Sequence, residues 1–206
     1  MGGATGHLRT STTGYRRELS LREAVARVGY AAGGVEYTRE YFAGNPGNVI
    51  VARISANQTG RVSFTLRHTS PRTDKTVTAS NGRLTIRGRL ADNGLRFEAQ
   101  VQVVKQGGTR TDSGDRVTVS GAESVMLVLS AGTDYSDGYP AYRGADPQAG
   151  VTSRVTTAAP AGPRHGRSAS GPGCSAAPAP TSRSANSSSP PRWTTCGTPT
   201  RRCPRR

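Results

Sequence analysis

The chain has 206 residues, 33% of them hydrophobic, and a formal net charge of +15, enough for one sizeable core or two small ones. Its composition divides near residue 150: all 13 acidic residues and all ten Tyr and Phe precede that point, while nine of 13 prolines, all three Cys and the only Trp follow it. That split excludes a packed core from the second part, and no run anywhere is long and apolar enough to span a bilayer.

Residues 1–13 are expected to be disordered or to add part of a strand. The start, MGGATGHLRTSTTGYRR, has no apolar core of signal-peptide length. The chain as written carries no export signal, and its location stays open. Tyr15 to Leu21 reads as a strand, followed by a long β-hairpin turning at Gly33-Gly34, whose glycines supply the positive φ of a tight turn. In the second arm Val35, Tyr37 and Tyr41 alternate with Glu36, Thr38 and Glu40, the period of a half-buried strand. Arg39 interrupts the apolar face, but its methylene stem can lie along it. A helix competes over Leu19 to Arg27, where Ser20 and Glu23 have capping-box spacing. Val25, Val28 and Tyr30 favour strand, and strand is the reading adopted.

Asn45-Pro46-Gly47-Asn48 is a turn cluster. Val49 to Ala56 follows as a strand, Asn57 to Gly60 turns, and Val62, Phe64 and Leu66 alternate with polar neighbours. Thr69 to Lys75 is a polar loop. A short strand at Thr76 to Ala79 leads to the hairpin signal Asn81-Gly82 and a return arm through Leu84 and Ile86. After Asp92-Asn93-Gly94, Leu95, Phe97, Ala99, Val101 and Val103 alternate with Arg96, Glu98, Gln100 and Gln102. Gly107-Gly108 and Ser113-Gly114-Asp115 are read as turns, and Val117 and Val119 as a short strand. Val125 to Leu129, VMLVL, is apolar on both faces and reads as a central strand covered on both sides. About ten short strands and no convincing helix make the chain all-β, an antiparallel sandwich.

Few residues announce chemistry. His7, His68 and His165 are isolated, and no HExxH, GxSxG or phosphate-loop pattern occurs. Cys174, Cys196 and Cys203, odd in number and without zinc-type spacing, read as incidental thiols, so neither metal nor cofactor is expected. Asp112 and Asp115 suit turn capping. Asp134 and Asp137 lie in TDYSDGYPAYRGADP, where interface or turn roles outweigh binding, and catalysis is weaker still. Tyr135, Tyr139 and Tyr142 in that segment are weak candidates for a sugar platform, the basis of an alternative reading as a stand-alone carbohydrate-binding sandwich. A third reading, nucleic-acid binding through the basic tail, lacks aromatic stacking partners apart from Trp193, so no specific nucleic acid and no membrane is expected as a partner. Asn57-Gln58-Thr59 fits the glycosylation pattern, a triplet common by chance.

YRRELSLREAVARVGYAAGGVEYTREYFAGNPGNVIVARISA resembles the N-terminal β-domain of family 95 glycoside hydrolases, the α-L-fucosidase family. The likeness continues through GRVSFTLRHTSP, NGRLTIRG, NGLRFEAQVQVV and VMLVLSAGTDY to YPAYRGADP. It implies an incomplete β-sandwich of the super-sandwich type over residues 14–150. It also implies a parent enzyme that hydrolyses α-L-fucosides in oligosaccharides, with fucosylated glycan as partner and the acid and base carboxylates in a helical barrel this chain lacks. No catalytic residue is therefore carried over, and the chain alone is expected to be inactive. In the family an alanine-rich helix follows the block matching YRGADP. Here residues 151–206 are Arg/Pro/Ser/Ala-rich and acid-free, as an out-of-frame reading would yield, and are expected to form a disordered basic tail. A frameshift near residues 150–160 and missing N-terminal strands are the corresponding expectations, and unpaired sheet edges would then favour aggregation.

Overall fold

The computed structural model describes residues 11–45 and 47–159, all within one compact unit, Met1–Ala169. The strands are β1 Thr12–Ser20, β2 Val25–Ala32, β3 Val35–Gly44, β4 Val49–Ala56, β5 Val62–Arg67, β6 Lys75–Ser80, β7 Arg83–Arg89, β8 Arg96–Ser113 and β9 Arg116–Thr133. One helix, α1, spans Gln148–Ala158. All strands join one antiparallel sheet in the order β1-β2-β3-β4-β9-β8-β7-β6, with β5 added on β9. The all-β reading holds.

The alternation seen in the sequence translates into burial. Val35 and Tyr37 are buried while Glu36 and Thr38 face solvent. Tyr37 stacks on Tyr30 across the β2–β3 pair, with centroids 5.3 Å apart. The Arg39 guanidinium lies over the Tyr30 ring at 5.2 Å and donates to its hydroxyl, so the interruption in the apolar face is absorbed by an aromatic neighbour. Both two-residue turns form where expected, Gly33-Gly34 and Asn81-Gly82, all four residues at positive φ.

β8 and β9 form one hairpin with two 18-residue arms rather than the three short strands read from the sequence. Gly107-Gly108, expected as a turn, instead bends the pair without breaking it: the register slips between Gln106 and Gly107, and both glycines have positive φ. A Cβ on Gly108 would lie 2.4 Å from the Ser120 carbonyl oxygen, so glycine is required there. The bend folds the outer half of the hairpin over the inner sheet. Val117 and Val119 from the outer half join Val62 and Phe64 of β5, Leu84 and Ile86 of β7, and Val101 and Val103 of β8 in the main core. The hairpin tip then closes on the β6–β7 turn, where Ala79 N–H donates to Gly114 O and Gly82 N–H to Asp112 Oδ2. The two layers are thus made from one sheet.

Residues 21–24, inside the span adopted as strand, are instead a turn. Glu23 N–H donates to Ser20 Oγ at 3.4 Å, a single helix-cap contact that ends in reversal because Ala24 takes φ 53. The edge strand β1 is exposed along nearly all its length. A cross-strand row of alternating charge holds it: Glu18 faces Arg27, Arg27 faces Glu40, and Glu40 faces Arg53. An apolar strip on β1–β4 stays open, with Tyr15, Leu19, Tyr41 and Ile50 exposed.

The helix corrects the sequence reading. Residues 151–158, assigned to the tail, are helical, and Val151 and Val155 are fully buried. Val155 and its neighbours lie on the sheet face opposite the main core, where Ala158 and Ala159 pack with Val49, Val51, Met126 and Val128. The VMLVL strand is accordingly covered on both sides. Burying two valines contributes about 1.5–3 kcal/mol each relative to leaving them exposed. Residues 1–10 and 160–206, with the three cysteines, Trp193, His7 and His165, lie outside the described residues.

Candidate functional site

The segment after β9 is organised by Asp134, a carboxylate only 2% exposed. Its Oδ1 accepts from the Arg96 backbone amide at 2.9 Å, and its Oδ2 pairs with Arg96 Nε at 3.1 Å. Arg143 Nε lies 3.9 Å from Oδ1. The Asp134 carbonyl accepts from Gly144 N–H, which closes the base of the loop. Inside the loop Tyr135 bridges Arg143, and Ser136 N–H donates to Tyr142 O. The loop is therefore a small hairpin pinned by a buried charge.

Tyr135, Tyr139 and Tyr142 all project from this hairpin, at 64%, 85% and 43% exposure. Tyr139 and Tyr142 meet edge to face, with centroids 6.2 Å apart. Tyr142 has φ 51, a left-handed conformation that bulky residues rarely take. Asp137 is exposed at the hairpin end. The Asp134/Asp137 pair considered from sequence thus divides into a buried anchor and a surface acid. Asp112 pins the β6–β7 turn through the Gly82 amide and pairs with Arg110, and Asp115 pairs with its neighbour Arg116.

Other residues at this end of the sheet escaped the sequence reading. Asp146 accepts from Gln148 N–H at the start of α1 and pairs with both Arg87 and Arg96. The Gln148 amide, aided by the two guanidinium charges, holds its carboxyl below the usual carboxylate range. Glu98 lies under the helix, its side chain fully buried. Its Oε1 accepts from Gln100 Nε2 at 2.6 Å, which also donates to Thr152 of α1. Its Oε2 has only Arg87 Nη1, at 3.5 Å. Arg87 and Arg96 also line a cleft of about 430 Å³ with Lys75, Arg89 and Asp74. The alternation of Glu98, Gln100 and Gln102 was the only available signal, and alone it reads as a solvent face. His68, just past β5, is half-buried, and burial together with the Lys75 charge lowers its pKa. Among the described residues no group of three or more His, Cys, Asp or Glu is placed to hold a metal.

Residues 5–138 match the profile of the N-terminal domain of glycosyl hydrolase family 65. The chain belongs to that family. Among curated proteins it is 31% identical over 153 residues to alpha-L-fucosidase 2 of Arabidopsis thaliana, a match spanning 63% of this chain and 18% of the plant protein. It is 30% identical over 158 residues to the Aspergillus niger protein named "Probable alpha-fucosidase A", covering 71% of this chain and 20% of that one. The chain thus spans about a fifth of the length of these relatives. A solved chain assigned as a kojibiose phosphorylase from human microbiome shares the fold at a TM-score of 0.52 and 6% identity, over 72% of this chain and 22% of that chain. The resemblance read from the sequence is upheld: this is an N-terminal β-domain of a glycoside hydrolase.

Proposed function

We propose that the chain is the non-catalytic β-domain of an α-L-fucosidase-type glycoside hydrolase, and that its loop 134–146 presents a surface to fucosylated glycan. The observation that carries this reading is the use made of the buried carboxylates. Glu98 and Asp134 are both committed to arginines that hold the loop and helix in place, whereas inverting glycoside hydrolysis needs two carboxyls separated by about 6.5–9.5 Å with room for a water between them. The likeness to two fucosidases supports the substrate class. Purified chain incubated with an α-1,2-fucosylated oligosaccharide is expected to release no fucose. Turnover that survives repurification would overturn the assignment.

The glycan-facing part of the reading rests on the tyrosines. A loop that keeps three of them in solvent, one in a left-handed conformation, holds apolar surface and strain that packing alone does not require. Stacking a sugar ring on Tyr139 would use that surface. Replacing Tyr139 by Ala is expected to remove whatever heat a calorimetric titration with fucosylated oligosaccharide gives, without altering the unfolding curve. We infer further that a shift of reading frame near residues 150–160 falls after Val155, because Val151 and Val155 are fully buried against the sheet. A downstream reading frame that fails to encode a helical barrel would refute this.

A further inference from the structure

We propose that the cleft between β6, β7 and the start of β8 binds the anionic substituent of an acidic sugar, a sulfate ester or a uronate carboxylate. The inference rests on the carbohydrate-directed reading above and adds charge to it. Four cations, Lys75, Arg87, Arg89 and Arg96, line the cleft with one acid, Asp74.

Two of the arginines are oriented from behind. Arg87 is held by Glu98 and Asp146, and Arg96 by Asp134 and Asp146. These contacts occupy both terminal nitrogens of Arg87, and Nε and Nη1 of Arg96. They leave Arg87 Nε and Arg96 Nη2 as donors without a partner among the described residues. Arg89 is exposed, and among the described residues its guanidinium makes no hydrogen bond or ion pair. Lys75 differs, because its Nζ already donates to Ser70 O and Arg72 O and steadies the preceding loop. The cleft thus offers one free guanidinium beside two fixed ones. The Arg89 fork can match two oxygens of a sulfate or carboxylate at once, while Arg87 and Arg96 each add one N–H, and bonds to an ionised acceptor are roughly twice as strong as neutral ones. A neutral sugar gains no such advantage.

The position supports the same ligand. Asp134 and Asp146 orient the arginines and also anchor the tyrosine hairpin and the start of α1. The anionic subsite and the tyrosines are therefore built on one scaffold, and a sugar chain lying across it would meet both.

The test is an amide-resolved NMR titration of the full chain with a sulfated monosaccharide, a uronic acid and their neutral parent sugars. Singly charged ligands are needed because a chain with 28 Lys and Arg attracts any polyanion non-specifically. Saturable shifts are expected at Thr76, Gly88 and Arg89 with an acidic sugar, and whichever acid binds more tightly identifies the substituent. Arg89→Ala, a surface change, should weaken binding about tenfold. Absence of shifts at the cleft, equal shifts from the neutral sugar, or unchanged affinity in Arg89→Ala would overturn the proposal. If a neutral fucosylated oligosaccharide moves the tyrosine hairpin while acidic sugars leave the cleft unmoved, this inference falls and the reading above stands. The opposite result removes the fucosyl reading and leaves the cleft.

Discussion

Asp134 and Gly108 show how single positions decide the geometry, and each gives a prediction. Asp134 is a buried acid with two arginines and a backbone amide around it. Asp134→Asn keeps the size but removes the charge, which leaves Arg96 and Arg143 poorly compensated. Because both arginines are partly exposed, a loss of about 2 kcal/mol is expected, below the roughly 3–5 kcal/mol of fully buried pairs. Urea denaturation followed by tyrosine fluorescence would measure it. Gly108 has φ 61 and no space for a Cβ against the Ser120 carbonyl. Gly108→Ala should cost at least about 2 kcal/mol through combined strain and clash, visible as a lower midpoint with an unchanged urea slope. Neither role can be read from sequence alone. The Gly107-Gly108 pair announces a change of direction, but a sharp turn and a bend inside a continuous hairpin require the same left-handed glycines.

Among the elements, the edge strand β1 and the start of α1 are each tied down by charged pairs. Arg27 stands between Glu18 and Glu40 across three strands. Arg27→Glu places like charges opposite each other on both sides. Faster hydrogen exchange is expected in β1 amides, with β8 and β9 protected as before; uniform loss of protection would show that the row does not act on the edge alone. The start of α1 depends on Asp146. Its folded pKa lies below the unfolded value, so its contribution is complete above that value, about 3.9, and fades as pH falls through the folded pKa. Acidification below about pH 4 should therefore loosen the Gln148 amide before the sheet melts, and Asp146→Asn should remove that pH dependence. The strands were legible because valine, tyrosine and phenylalanine alternate with polar residues over most of the sheet. The helix was not, because QAGVTSRVTTA offers only Val151 and Val155 at helical spacing amid threonines that favour strand. Its stability comes from the sheet face it covers, which no local pattern records. Glu98 was missed for the same reason: it alternates with Gln100 as surface residues do, and the helix that buries both was unread.

At the largest scale, the described residues form one sheet folded on itself, with a helix closing one face and an apolar strip left open on β1–β4. Tyr15, Leu19, Tyr41 and Ile50 on that strip, next to an exposed edge strand, make concentration-dependent association the expected behaviour of the isolated chain. Leu19→Lys should reduce it in sedimentation velocity without lowering thermal stability. Family and fold agree on a glycoside hydrolase β-domain, and the carboxylates buried in it serve structure. On the proposed function, this domain meets glycan without cleaving it. Following an α-1,2-fucosylated oligosaccharide and the labelled chain together by NMR tests both halves in one sample. Shifts are expected at the Tyr135–Tyr142 amides while the bound fucose signals persist unchanged. Free fucose accumulating in the tube, or a hairpin that does not respond to the glycan, would contradict it.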